Sequence, residues 1–187
     1  MNKRLSICVF CGARSGANPD YAEAARAVGQ LLGEQGHRLV YGGGAGGLMG
    51  VVADSALAAG GQVMGIIPQA LVHLEHAHQG LSELVVVDTM HQRKALMAEY
   101  SDAYLSLAGG IGTLEEMAEM WTLNVLGYQN KPMALLNTAG YYDDYLKYLA
   151  RMQAEGFASA AHLARLRVGQ EPAAVLVDLL ADLLAQV

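Results

Sequence analysis

The chain has 187 residues, 53% of them hydrophobic and 16% charged, with a formal net charge of −6 at pH 7. This balance excludes a disordered polymer, and it excludes a dedicated nucleic-acid surface, which needs clustered Lys and Arg to neutralise phosphates. At roughly 150 residues per domain, the length predicts one globular domain over residues 1–187, large enough to bury a full core.

The apolar run Leu5–Phe10 predicts a buried strand and is too short for the core of a signal peptide. No window approaches the roughly 18 apolar residues of a membrane span, so a cytoplasmic protein with no membrane partner is expected. Cys8 and Cys11 have C-x-x-C spacing. Redox pairs of that spacing usually open a helix, whereas strand residues three apart face opposite ways, so packing is their expected role.

Asn18-Pro19 predicts a helix start, with Asn as N-cap, and the helix runs to a stop at Gly36. His37–Tyr41 is the second strand, followed at once by the glycine run Gly42–Gly47 and a small-residue helix over Leu48–Ala59. Gln62–Ile67 is the third strand, closed by Pro68. Residues 69–81 are irregular and carry His73, His76 and His78. Leu84–Val87 is the fourth strand, and a helix beginning near Asp88-Thr89 carries Met90–Tyr100. Ala103–Leu107 is the fifth strand; the turn Gly109–Gly112 then opens a helix over Thr113–Leu126. Pro132–Leu136, a helix over Tyr141–Glu155, a short strand Leu166–Val168 and a leucine-rich helix Pro172–Leu184 complete the chain. Strands alternating with helices imply right-handed crossovers. The predicted fold is an α/β, Rossmann-like three-layer sandwich with a mostly parallel, doubly wound sheet of about six or seven strands.

Ligands of such sheets bind outside the carboxyl ends of the strands, where Gly12–Gly16, Gly42–Gly47 and Gly109–Thr113 are expected. Glycine lets the backbone approach a ligand, and a helix N-terminus favours an anion. The run Gly42–Gly47 contains G-x-G-x-x-G, but it follows the second strand, and no Asp or Glu ends the third to hold a ribose. It reads as a tight turn or as a substrate cavity wall that includes Gly43 and Gly44. Gly109, Gly110, Ile111, Gly112 and Thr113 read as a phosphate cradle, with Glu115 and Glu116 directly after it. Thr113-x-x-Glu116 also fits a capping box. Arg93 and Lys94 are cations at a helix start, where the dipole disfavours them. They are either solvated surface charge or neighbours of an anion.

These segments resemble the LOG ("lonely guy") family of cytokinin riboside 5'-monophosphate phosphoribohydrolases, once labelled possible lysine decarboxylases. The family's P-G-G-x-G-T-x-x-E stands here as Ala108 to Glu116, its M-H-x-R-K as Met90 to Lys94, its Y-G-G-G-x-x-G-L-M-G as Tyr41 to Gly50, and its C-V-F-C-G as Cys8 to Gly12. The resemblance runs from Ile7 to about Phe157. Ala108 replaces the family's proline, and Ala13-Arg14 stand where two serines are usual.

The resemblance implies hydrolysis of the N-glycosidic bond of a nucleoside 5'-monophosphate, with no cofactor and no metal. It implies Glu116 as the catalytic carboxylate, Glu115 as the alternative, and Arg93 as the second catalytic residue. Lys94 and Glu75 would contact the nucleotide. It further implies a homodimer formed through the helix after Thr113, whose apolar residues lie nearly all round and predict burial on most sides. A zinc site at His73, Glu75, His76 and His78 has no defensible ligand spacing. Two rivals remain. A carrier of a phosphate-bearing cofactor, such as the molybdenum cofactor, would need no paired carboxylates. A lysine decarboxylase would need a lysine in a pyridoxal-phosphate setting, which none of Lys3, Lys94, Lys131 and Lys147 has.

Overall fold

The computed structural model describes residues 4–184. Among the described residues, seven strands form one all-parallel sheet in the order β4-β3-β2-β1-β5-β6-β7. They are β1 Ser6–Phe10, β2 Arg38–Tyr41, β3 Gln62–Pro68, β4 Glu83–Val87, β5 Ala103–Ser106, β6 Met133–Leu136 and β7 Leu166–Gly169. The helices are α1 Asp20–Glu34, α2 Gly47–Ala58, α3 Met90–Glu99, α4 Ile111–Val125, α5 Asp143–Ala154, α6 Ala160–Leu163 and α7 Pro172–Leu184. The predicted three-layer, doubly wound architecture is the one observed.

Strand alternation divides the core between the two faces of the sheet. Ile7, Val9 and Cys11 join Ala25, Val28 and Leu32 of α1, Val52 and Ala53 of α2, and Leu176 and Leu179 of α7. Cys8 and Phe10 face the other way, onto Met97 of α3, Met117, Met120 and Trp121 of α4, and Leu149 of α5. The two cysteines are therefore buried, free and on opposite faces, as a packing role requires. Each fully buried Val, Leu or Met contributes about 1.5–3 kcal/mol relative to exposure.

Several boundaries differ from expectation for physical reasons. Pro19, not the expected Asn18, occupies the N-cap position of α1, and the Asn18 carboxamide, one residue ahead of it, accepts the Asp20 N–H at 2.9 Å. Helix α4 begins at Ile111 because extended Gly110 (φ −91°, ψ −158°) is its N-cap. Thr113 thus lies inside the first turn, and the predicted Thr113–Glu116 capping box is absent. Capping boxes form elsewhere, at Thr89–Gln92 before α3 and at Ser159–His162 before the short α6, which had no sequence signal. Nor is α4 buried on most sides. Ile111, Ala118 and Leu126 are exposed, and Leu114 and Leu123 only half-buried, so one apolar face lies open.

Candidate active site

Chain order reverses between β1 and β5, which lie side by side with β2 at the middle of the sheet. Register pairs Phe10 with Ser106 and Cys8 with Val40, so the loops leaving β1, β2 and β5 emerge together. The loops after β1 and β5, with the starts of α2 and α3, frame a cavity of about 550 Å³. Its walls come from the first loop (Cys11 to Gly16), the start of α2 (Leu48, Met49), the start of α3 (Met90, Arg93) and the turn into α4.

The loops are held against one another by backbone contacts. The Gly12 N–H donates to the Ala108 carbonyl at 3.0 Å, and the Leu48 N–H to the Gly12 carbonyl at 3.0 Å. Gly47 has φ +59°, and a Cβ there would lie 2.4 Å from the Arg14 nitrogen, so only glycine fits. At Gly109 a Cβ would come within 2.1 Å of the Thr113 hydroxyl oxygen. By contrast, a Cβ on Gly110 or Gly112 would meet nothing, because both face open space in the cavity. No side chain caps α4. Its first N–H groups, with the partial positive charge of the helix end, are therefore available to an anion. The Tyr141 hydroxyl donates to the Gly109 carbonyl at 2.5 Å, so this acceptor beside the helix end is already occupied.

Arg93 and Lys94 are buried, which excludes solvated surface charge. Arg93 donates through Nη2 to the Gly42 carbonyl at 2.9 Å and lies 3.6 Å from a Glu75 oxygen. Glycine at position 42 makes that approach possible, since a Cβ would sit 1.9 Å from Nη2. Arg93 Nε and Glu75 Oε2 are buried with no hydrogen-bond partner among the described residues, an arrangement that is costly away from a functional site. Glu116 is 9% exposed, and burial pushes its carboxyl up to about 7. Glu115 and Glu75 push it in the same direction, while Arg93 and Lys94 oppose them. A carboxyl that changes charge near neutral pH inside a cavity is suited to proton transfer or to stabilising a developing cation.

The expected site residues separate into two groups. Glu75, Arg93, Gly109, Gly110, Gly112, Thr113, Glu115 and Glu116 all line the cavity. Lys94, Gly43, Gly44 and Ile111 do not. Lys94 is paired with both Glu115 and Glu119, which lifts its pKa against burial. Ile111 is 88% exposed. Gly43 and Gly44 brace the segment carrying Glu75: the Gly43 carbonyl accepts the His78 N–H at 2.9 Å, and Gly44 bridges to Ala77. His78 Nε2 lies 2.9 Å from Asp54 Oδ1, and His73 and His76 are exposed, so these histidines do not converge. Sequence reading missed Tyr21 and Tyr141, which stack edge-to-face at the rim with centroids 5.4 Å apart, and the apolar wall of Leu48, Met49, Leu71 and Met90.

Comparison with known proteins bears on this site. Residues 49–179 match the family model described as "Possible lysine decarboxylase". A cytokinin riboside 5'-monophosphate phosphoribohydrolase of Rhodococcoides fascians is 47% identical over 164 residues, covering 87% of this chain and 83% of that protein. One of the Arabidopsis thaliana enzymes of the same name is 46% identical over 153 residues, covering 82% and 70%. Among solved structures, the molybdenum cofactor binding protein of Rippkaea orientalis superposes with a TM-score of 0.73 over 97% of this chain and 98% of that one. At 23% identity that likeness bears on the fold alone.

Proposed function

Since the chain belongs to the LOG family, we propose that it hydrolyses the N-glycosidic bond of a cytokinin riboside 5'-monophosphate or of AMP, releasing an adenine-type base and ribose 5-phosphate. The observation that carries this reading is the convergence in one cavity of an uncapped, glycine-opened helix end and a buried carboxyl poised near neutrality. The first suits a phosphate and the second suits a ribosyl cation.

The 5'-phosphate rests on the N–H groups of the Gly110–Gly112 turn, beside Thr113. The C1'–N9 bond breaks with its electron pair passing to the base, which leaves oxocarbenium character on the ribose. Glu116, as carboxylate, stabilises that charge and takes a proton from water as the water oxygen bonds to C1'. The proton returns to the base. Such electrostatic and general-base help is typically worth 10²–10⁴-fold. Arg93 holds the Glu75 segment and keeps a positive charge beside Glu116, limiting how far burial raises its pKa. Glu115 is the weaker candidate for the central role, because it is half exposed and committed to Lys94. No step needs a metal or cofactor. Decarboxylation through a lysine Schiff base is disfavoured because no lysine is among the described residues lining the cavity.

The protein works in the cytoplasm, and it is a homodimer whose interface includes the open apolar face of α4. A monomer by light scattering at micromolar concentration would contradict the dimer. The function itself is tested by chromatographic assay of base release from AMP and isopentenyladenosine monophosphate. The wild type is expected to be active, and Glu116→Ala and Arg93→Ala are each expected to lose at least roughly 100-fold in turnover. Near-normal turnover in both variants would overturn these roles.

A further inference from the structure

The cavity carries an electrostatic problem that its walls only partly solve. Among the described residues, three carboxyl groups line it, at Glu75, Glu115 and Glu116, with Glu115 already paired to Lys94, against two lining cations, Arg14 and Arg93. Arg93 is engaged by the Gly42 carbonyl and by Glu75. A nucleotide phosphate brings about −1.5 to −2 further charges at neutral pH. Backbone N–H groups at one helix end supply only about half a positive charge. Arg14 is the remaining cation. It is exposed, lines the same cavity as Gly109, Gly110 and Gly112, and makes no hydrogen bond, ion pair or ring contact among the described residues.

Its backbone is not loose. The Arg14 nitrogen packs where a side chain on Gly47 would go, and the Arg14 carbonyl lies 2.9 Å from where a Cβ on Gly12 would stand. The guanidinium is thus a free, forked donor carried on a main chain packed against Gly12 and Gly47, beside the phosphate turn. That geometry matches bidentate capture of a phosphate, which a serine at this position could not offer.

We infer that Arg14 is the residue that makes this site prefer a phosphorylated nucleoside over the bare nucleoside, by closing its guanidinium on the 5'-phosphate opposite the Gly109–Thr113 turn. The inference rests on the phosphoribohydrolase reading for its place in a reaction, but binding alone can test it. Calorimetry would compare AMP with adenosine on the wild type, R14S and R14K, each carrying Glu116→Gln so that bound AMP is not turned over. R14S should weaken AMP roughly tenfold or more, as expected for a hydrogen-bonded charge, and should change adenosine far less. R14K should recover part of the loss, and the gap between wild type and R14S should narrow as salt rises. In turnover, R14S should raise KM for the monophosphate more than it lowers kcat. Equal AMP affinity in wild type and R14S, or an equal loss for adenosine, would overturn the inference. Absence of base release by the wild type would instead overturn the catalytic reading, and the binding comparison would still decide Arg14.

Discussion

Replacing Glu116 by Gln should make the protein more stable at alkaline pH while disabling it. The carboxyl is buried, and its pKa rises from 4.5 to about 7, with burial the largest cause. The folded state therefore holds this proton more tightly than the unfolded chain does. Wild-type stability should fall as pH rises from about 4.5, and the full loss should be present above about 7. At roughly 1.4 kcal/mol per pH unit, the interval corresponds to about 3 kcal/mol. An amide of the same shape carries no charge to desolvate. Urea denaturation of both proteins at pH 8.5 should show the Gln variant more stable by up to about 3 kcal/mol, shrinking to about 1 kcal/mol at pH 5. A stability difference that is the same at both pH values would refute the reasoning, as would a Gln variant less stable at pH 8.5. Such a result would mean that Arg93 offsets the burial of Glu116 in full.

Three further outcomes follow from the same geometry. If Glu116 acts as carboxylate, turnover at saturating substrate should fall about tenfold per unit below pH 7 and be flat above it; a profile unchanged down to pH 5 would contradict this. Gly109→Ala should cost about 1–3 kcal/mol, because its methyl meets the Thr113 hydroxyl at 2.1 Å, and should weaken AMP binding; unchanged denaturation and affinity would show that the turn has room to yield. Tyr141→Phe frees the Gly109 carbonyl beside the phosphate turn, and should raise KM several-fold while shifting stability by about 1 kcal/mol; an unchanged KM would deprive that hydrogen bond of a role in binding.

Much of this was legible in the sequence because the signals are local. Alternating apolar runs and glycine stops place all seven strands, and the glycine-rich turns after β1 and β5 mark the strand ends that frame the cavity. What escaped is non-local or ambiguous. Thr113-x-x-Glu116 has the spacing of a capping box, yet α4 starts earlier, with extended Gly110 as its N-cap, and Thr113 becomes a packing partner for Gly109. Lys94 resembles a substrate contact until the fold brings Glu115 and Glu119 from another helix to it. Gly43 and Gly44 look like cavity wall, but their carbonyl and strand-like pairing serve the segment that delivers Glu75. Tyr21 and Tyr141 lie far apart in the chain, and no periodicity announces that they meet at the rim.

The central claim is that water cleaves the base from the sugar, and quantifying both products tests it most directly. Purified protein incubated with isopentenyladenosine monophosphate should yield free isopentenyladenine and ribose 5-phosphate in equal amounts. A nucleoside plus inorganic phosphate would contradict the assigned bond. Intact nucleotide recovered from a tight complex would contradict catalysis itself and favour a carrier.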